Sequence, residues 1–192
     1  MAEVYLFIFD FDGTLVDTAA IKRASFFAIF PDRHAGVVEQ VLSEDPDGSR
    51  HRVIPEMAAR CDDASLDPSA LIVAYGQEVA RQVPVAEAIE GAALALKWAA
   101  AQGKAYVFSV TPHEELVDAL SHRGWINGLE GVFGFPNSKP ETVRDLMKKH
   151  GVDADATFVI GDGTSDAEAA RLNNCHWIEA VPGWPEKLRA VI

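Results

Sequence analysis

The chain has 192 residues, 48% hydrophobic and 24% charged, with 29 acidic against 17 basic side chains and a net charge of -12. That length suits one domain carrying a substantial insertion, in a composition ordinary for a globular protein. The acidic balance argues against a nucleic-acid-binding face and against attraction to an anionic membrane surface. It leaves room for a small phosphorylated substrate, because screening over about 10 Å makes the local charge of a site matter more than the total. Cys61 and Cys175 lie far apart with no zinc-like spacing, the pattern of two reduced thiols. The N-terminal apolar run has no basic leader and breaks at Asp10, and no stretch approaches the roughly 18 apolar residues of a membrane span. A cytoplasmic protein, monomer or homodimer, is the expectation.

The first element is a strand from Val4 to Phe9, β-branched and aromatic throughout, as expected of a strand buried on both faces. It delivers Asp10 and Asp12 to its C-terminal end, where open α/β sheets bind ligands. Gly13 then permits a sharp turn that turns backbone N–H groups toward an anion. From Ala19 to Arg81 the apolar residues recur at helical spacing, interrupted near Phe30-Pro31-Asp32, Ser43 to Ser49 and Cys61 to Pro68. About four short helices are predicted there, closed by Val83-Pro84-Val85.

Alternation follows. A helix is predicted over Ala86–Gln102 with Gly103 as its C-terminal cap, then a strand over Ala105–Phe108 ending at Ser109. Pro112–His122 reads as a helix, Gly131–Phe133 as a short apolar piece and Glu141–His150 as a helix. Thr157–Ile160 is a buried strand ending at Gly161-Asp162, Asp166–Leu172 a helix, and His176–Ile178 a last strand. Strands alternating with helices predict an α/β fold, a Rossmann-like three-layer core around a parallel sheet. The predicted organisation is a discontinuous core, 1–17 and 86–192, carrying an inserted helical domain at 18–85. Thr111-x-x-Glu114, Ser138-x-x-Glu141 and Ser165-x-x-Glu168 each have the form of a capping box, so Thr111, Ser138 and Ser165 are expected to be helix caps.

Four stations fall at strand ends or helix starts: Asp10-Phe11-Asp12-Gly13-Thr14, Ser109 after Tyr106-Val107-Phe108, Lys139 before Pro140-Glu141, and Gly161-Asp162 with Asp166. Taken singly, the last three are ordinary turn or helix-start residues. In order, they resemble the four motifs of the haloacid-dehalogenase-like (HAD) phosphohydrolase superfamily, over about two-thirds of the chain. The chemistry is coherent on its own terms, since phosphoryl transfer needs a nucleophile, charge neutralisation and a proton for the leaving group. Several carboxylates held together need a cation, and oxygen donors select a hard one such as Mg²⁺.

The resemblance implies Asp10 as nucleophile and Asp12 as general acid and base. It implies Mg²⁺ held by the Asp10 carboxylate, the Asp12 carbonyl and Asp162, with Asp166 acting through water or by holding Lys139. Ser109 and the N–H groups around Phe11, Asp12 and Val110 would hold phosphoryl oxygens, with Lys139 as fixed positive charge. Superfamily dehalogenases and the phosphonatase lack an Asp two residues after the nucleophile, so Asp12 favours phosphate esters. The helical insertion corresponds to a cap, and Gly48-Ser49-Arg50 resembles the specificity loop of β-phosphoglucomutase-like members, which makes Arg50 a candidate substrate contact. Val110 departs from the asparagine often found there, and Asn173-Asn174 from the usual Ala-Gly turn. The expected activity is a Mg²⁺-dependent phosphatase acting on a small phosphorylated metabolite. A phosphomutase and a catalytically silent binding module are the alternatives.

Overall fold

A computed structural model describes residues 4–46 and 48–191. Five parallel strands lie in the order β3-β2-β1-β4-β5: β1 Tyr5–Phe9, β2 Gly103–Pro112, β3 Gly131–Phe135, β4 Thr157–Gly161 and β5 His176–Glu179. β1 is central, in register with β2 (Ile8 opposite Tyr106) and with β4 (Ile8 opposite Val159). A strand flanked on both edges and both faces has no solvent side, and this is why its apolar run is unbroken. Burying its Leu6, Phe7, Ile8 and Phe9 side chains stabilises the fold by about 1.5–3 kcal/mol each.

Alternate residues of β1 serve opposite layers. Leu6 and Ile8 join a core with Val143 and Leu146 of α7 (Lys139–His150) and Ala169 and Ala170 of α8 (Thr164–Leu172). Phe7 meets Trp98 of α5 (Ala92–Gln102) at 5.9 Å between ring centroids, and Phe9 meets Trp184 of α9 (Trp184–Ala190) at 6.0 Å. α6 (His113–His122) packs on β2 and β3. The connections leaving β1 and β4 therefore run to opposite layers, which makes the C-terminal ends of these two neighbours the topological switch point, where such sheets bind ligands.

The structure divides into two compact units, one running through Thr18 and resuming at Pro84, the other spanning Ala19–Val83. In the second, α1 (Ala19–Ile29), α2 (Ala35–Glu44), α3 (Arg50–Arg60) and α4 (Pro68–Gln82) bury Val38, Val41, Val53, Ile54, Met57 and Leu71. Phe26 of α1 stacks on Tyr75 of α4, with centroids 4.4 Å apart. α4 starts where it does because Asp67 accepts a hydrogen bond from the Ser69 N–H at 3.0 Å, with Pro68 at the first helical position.

Several local expectations need correction. Residues 86–91 are not helical: the Asp17 N–H donates to Glu87 O at 2.9 Å and the Ile89 N–H to Leu15 O at 3.0 Å. This pairing with 15–17 overrides helix propensity, and α5 begins only at Ala92. Gly103 is no left-handed cap; its backbone is extended and opens β2. α9 went unforeseen. Asn174, after α8, adopts a left-handed conformation at φ 53°. No described helix is long and apolar enough to cross a membrane.

Candidate active site

Asp10 leaves the end of β1 with its N–H donated to Ile160 O of β4 at 2.7 Å, so its position is fixed by the sheet itself. The chain then coils tightly: Leu15 and Val16 N–H groups both donate to Phe11 O, and Gly13 N–H donates to Val16 O. Gly13 sits at φ 75°, and a Cβ there would stand 2.2 Å from Asp162 Oδ2. Glycine is thus required twice over, by its backbone conformation and by the carboxylate against it. Phe11 is wholly buried, its side chain part of the core.

At the end of the neighbouring strand β4, Asp162 accepts a hydrogen bond on Oδ1 from Thr14 Oγ1 at 3.3 Å. Lys139 opens α7 with its side chain only 5% exposed, and its Nζ donates to Asp10 Oδ1 at 3.1 Å and Asp166 Oδ1 at 2.5 Å. Asp166, in the first turn of α8, accepts the Gly163 N–H on its other oxygen at 3.2 Å. Gly161 makes room for it, since a Cβ there would stand 2.0 Å from Asp166 Cγ. Gly161→Ala should therefore push Asp166 off Lys139 and lower the thermal midpoint by several degrees; an unchanged midpoint with unchanged metal affinity would contradict this packing.

Asp12 is held by three hydroxyls. Thr18 Oγ1 donates to its Oδ1 at 2.8 Å, and Ser109 Oγ and Thr111 Oγ1 both donate to its Oδ2, at 3.0 and 2.7 Å. Ser109 in turn accepts the Thr111 N–H at 3.1 Å, which fixes the direction of its own hydroxyl. β2 shifts register against β3 between Phe108 and Pro112, and this irregularity carries Ser109 and Thr111 past the strand's regular pairing. Val110, between them, is 68% exposed. The hydroxyl of Ser109, the expected phosphoryl contact, donates to Asp12 in this structure.

The capping expectations fail at two of three positions. α6 starts at His113 after Pro112, which leaves Thr111 in the strand, and α8 is preceded by Gly163 rather than Ser165. Ser138 does occupy the position before α7, without a side-chain capping bond. The hydroxyls of Thr14, Thr18 and Thr111 are what sequence reasoning missed. Arg50, expected in a loop, is the first residue of α3, its guanidinium 5.9 Å from the Tyr75 ring centroid.

Electrostatics set what the site can do. Burial pushes the Asp10 carboxyl up, to about 7, against the lowering effect of Lys139, and Asp166 and Asp12 raise it further. Burial likewise raises Asp162. Burial pulls Lys139 down, but the Asp10 and Asp166 carboxylates more than offset it and hold the ammonium above its ordinary value. One carboxylate oxygen from each of Asp10, Asp162 and Asp166 lies within 4.8 Å of the other two. Oxygen-only donors, converging and short of positive charge, fit a small hard dication, which prefers an octahedron of such ligands.

Residues 7–180 match the family model for haloacid dehalogenase-like hydrolases. The chain belongs to that family. No curated protein is similar enough to match it. Among solved structures, this HAD-family chain resembles a protein from Thermotoga maritima assigned as a β-phosphoglucomutase (TM-score 0.74, 14% identity, covering 98% of this chain and 100% of that one). It also resembles one from Lactobacillus plantarum assigned as a phosphoglycolate phosphatase (TM-score 0.73, 15% identity, 99% and 100%). A third is a magnesium-bound protein of Bacillus subtilis assigned as a HAD hydrolase (TM-score 0.68, 15% identity, 91% and 86%). At these identities the likeness carries the HAD fold and nothing finer. The parallel five-stranded α/β core is that fold.

Proposed function

We propose that this HAD-family hydrolase is a Mg²⁺-dependent phosphatase of small phosphorylated metabolites, working in the cytoplasm through an aspartyl-phosphate on Asp10. The observation that carries the reading is the convergence of Asp10, Lys139, Asp162 and Asp166 at the switch point of the sheet. An Asp10 carboxylate oxygen attacks phosphorus in line with the leaving oxygen, and the ester P–O bond breaks with its electron pair going to that oxygen. Asp12 gives the leaving oxygen a proton, then takes one from water, which attacks the aspartyl-phosphate and restores Asp10. Lys139 holds Asp10 in place and supplies fixed positive charge beside the developing charge.

Asp10, Asp162 and the Asp12 carbonyl would hold the ion, and Asp166 would act by fixing Lys139. When bound, Mg²⁺ supplies the charge neutralisation that lets an anionic phosphate approach so many carboxylates. Backbone N–H groups at Phe11, Asp12 and Val110, with Ser109, are the proposed phosphoryl contacts. Engaging a phosphoryl oxygen requires Ser109 to release or share its bond to Asp12.

The helical unit is the proposed cap, and Arg50 its proposed substrate contact. That role implies a substrate with a second anionic group. Arg50→Ala should then raise KM for the best substrate about tenfold or more while kcat changes little, the pattern of lost uniform binding. An unchanged KM on every accepted substrate would remove Arg50 from the site.

Phosphate release across sugar phosphates, phosphoglycolate, nucleotides and an aryl phosphate, with Mg²⁺ and with chelator, tests the function. Mg²⁺-dependent release is the expected result. Isomerisation of a sugar phosphate without net release would indicate a mutase, and silence in a folded, Mg²⁺-binding protein would indicate a binding module.

A further inference from the structure

Thr111 is one of three site threonines, with Thr14 and Thr18, that the proposed reaction leaves without work. It belongs to β2, two residues beyond Ser109, so the two side chains share one side of the strand while Val110 between them projects to solvent. Both hydroxyls converge on a single atom, Asp12 Oδ2, at 2.7 Å from Thr111 and 3.0 Å from Ser109. The Ser109 oxygen also accepts the Thr111 N–H, which favours the direction in which its own proton meets Asp12. Thr111 thus acts twice, once through its own hydroxyl and once through the backbone N–H that orients Ser109.

We propose that Thr111 is a positioning residue that aims the Asp12 carboxyl for proton transfer to the leaving oxygen. A carboxylate oxygen has two lone pairs, and Oδ2 spends both on these hydroxyls. The proton that Asp12 gives to the leaving group is therefore carried on Oδ1. As the P–O bond breaks, its electron pair stays on the leaving oxygen, that oxygen takes the Oδ1 proton, and Asp12 is left ionised with Oδ2 still held by Thr111. Without the Thr111 hydroxyl, Oδ2 loses one of its two hydroxyl donors while Thr18 still donates to Oδ1, and the distinction between the two oxygens weakens.

This inference rests on the phosphatase reading, and the test separates the two. The effect belongs to the step that needs a proton, so it depends on the leaving group. An alkyl phosphate expels a basic alkoxide that must be protonated, whereas a nitrophenyl phosphate expels a phenolate that leaves without a proton. In Thr111→Val, which keeps the shape and loses the hydroxyl, kcat/KM for alkyl phosphates should fall about ten- to hundredfold. For the nitrophenyl ester it should fall less than about threefold, since kcat/KM ends with leaving-group departure. Thr111→Ser should restore the alkyl rates.

Equal losses on both substrates, or no rescue by serine, would reduce Thr111 to a structural contact and overturn the proposal. Unchanged alkyl rates would overturn it directly, with the phosphatase reading intact. A wild-type protein that releases phosphate from neither ester would overturn the reading and the proposal together. Circular dichroism and the thermal midpoint of Thr111→Val show whether the variant is folded; an unfolded variant transfers the same comparison to Thr111→Ala.

Discussion

Asp10→Asn is expected to abolish phosphate release, lowering kcat by about four to six orders of magnitude, because an amide cannot attack phosphorus and no neighbouring group can replace it. The same variant should melt higher than wild type in the presence of chelator. Burial holds the Asp10 carboxyl at about 7 against an ordinary value of 3.8, so the folded state takes up a proton that the unfolded state has lost. A raised acid of this kind imposes nothing below about pH 4. It destabilises progressively as pH rises toward 7, and the penalty is constant above that. The gap in thermal midpoint between Asp10→Asn and wild type should therefore open between pH 4 and 7 and then stay level. Mg²⁺ should close it by stabilising the ionised wild-type carboxylate. Residual turnover within tenfold of wild type would exclude Asp10 as nucleophile, and a gap independent of pH would exclude the strained carboxylate.

Lys139→Met should produce the largest loss of stability. Methionine preserves the packing of the stem, whose ammonium stands 5.2 Å from the centroid of the Phe108 ring, but deletes the charge between two carboxylates. Asp10 and the 1%-exposed Asp166 would then face each other uncompensated. Breaking a buried ion pair from one side costs about 3–5 kcal/mol, or roughly 10 °C in a protein of this size. The cost should be greatest well above pH 7 in chelator and shrink as pH falls through about 7, where Asp10 takes up a proton. Differential scanning calorimetry on either side of pH 7 measures it. A midpoint within about 2 °C of wild type would mean that the carboxylates do not depend on this lysine.

What the sequence made legible was whatever depended on one element at a time. Tyr5–Phe9 reads as a buried strand because every residue in it is apolar, and Asp10, Lys139 and Asp162 stand out as polar residues at element ends. What stayed hidden depended on two segments meeting. Thr111 carries the local signature of a cap, and only the continuation of β2 to Pro112 sends its hydroxyl to Asp12 instead. Residues 86–91 carry helix-forming composition, and only their pairing with 15–17 unwinds them. The Cβ-free surfaces of Gly13 and Gly161 look like turn glycines, yet each is pressed by a carboxylate, from Asp162 and Asp166 respectively. α9 is a seven-residue helix opened by Gly183, Trp184 and Pro185, too short to show a period.

The central place of β1 has a consequence for how the protein is made. Leu6 pairs with Thr157, about 150 residues later in the chain. A ribosome adding about 5–20 residues per second leaves the Tyr5–Phe9 segment waiting for roughly 7–30 s before its second neighbour exists. During that interval five consecutive apolar residues with strong strand preference stand without a complete sheet, the kind of segment that pairs with copies of itself. Synthesis of this protein therefore passes through a stage in which the segment that later carries Asp10 at its end waits without its second partner strand.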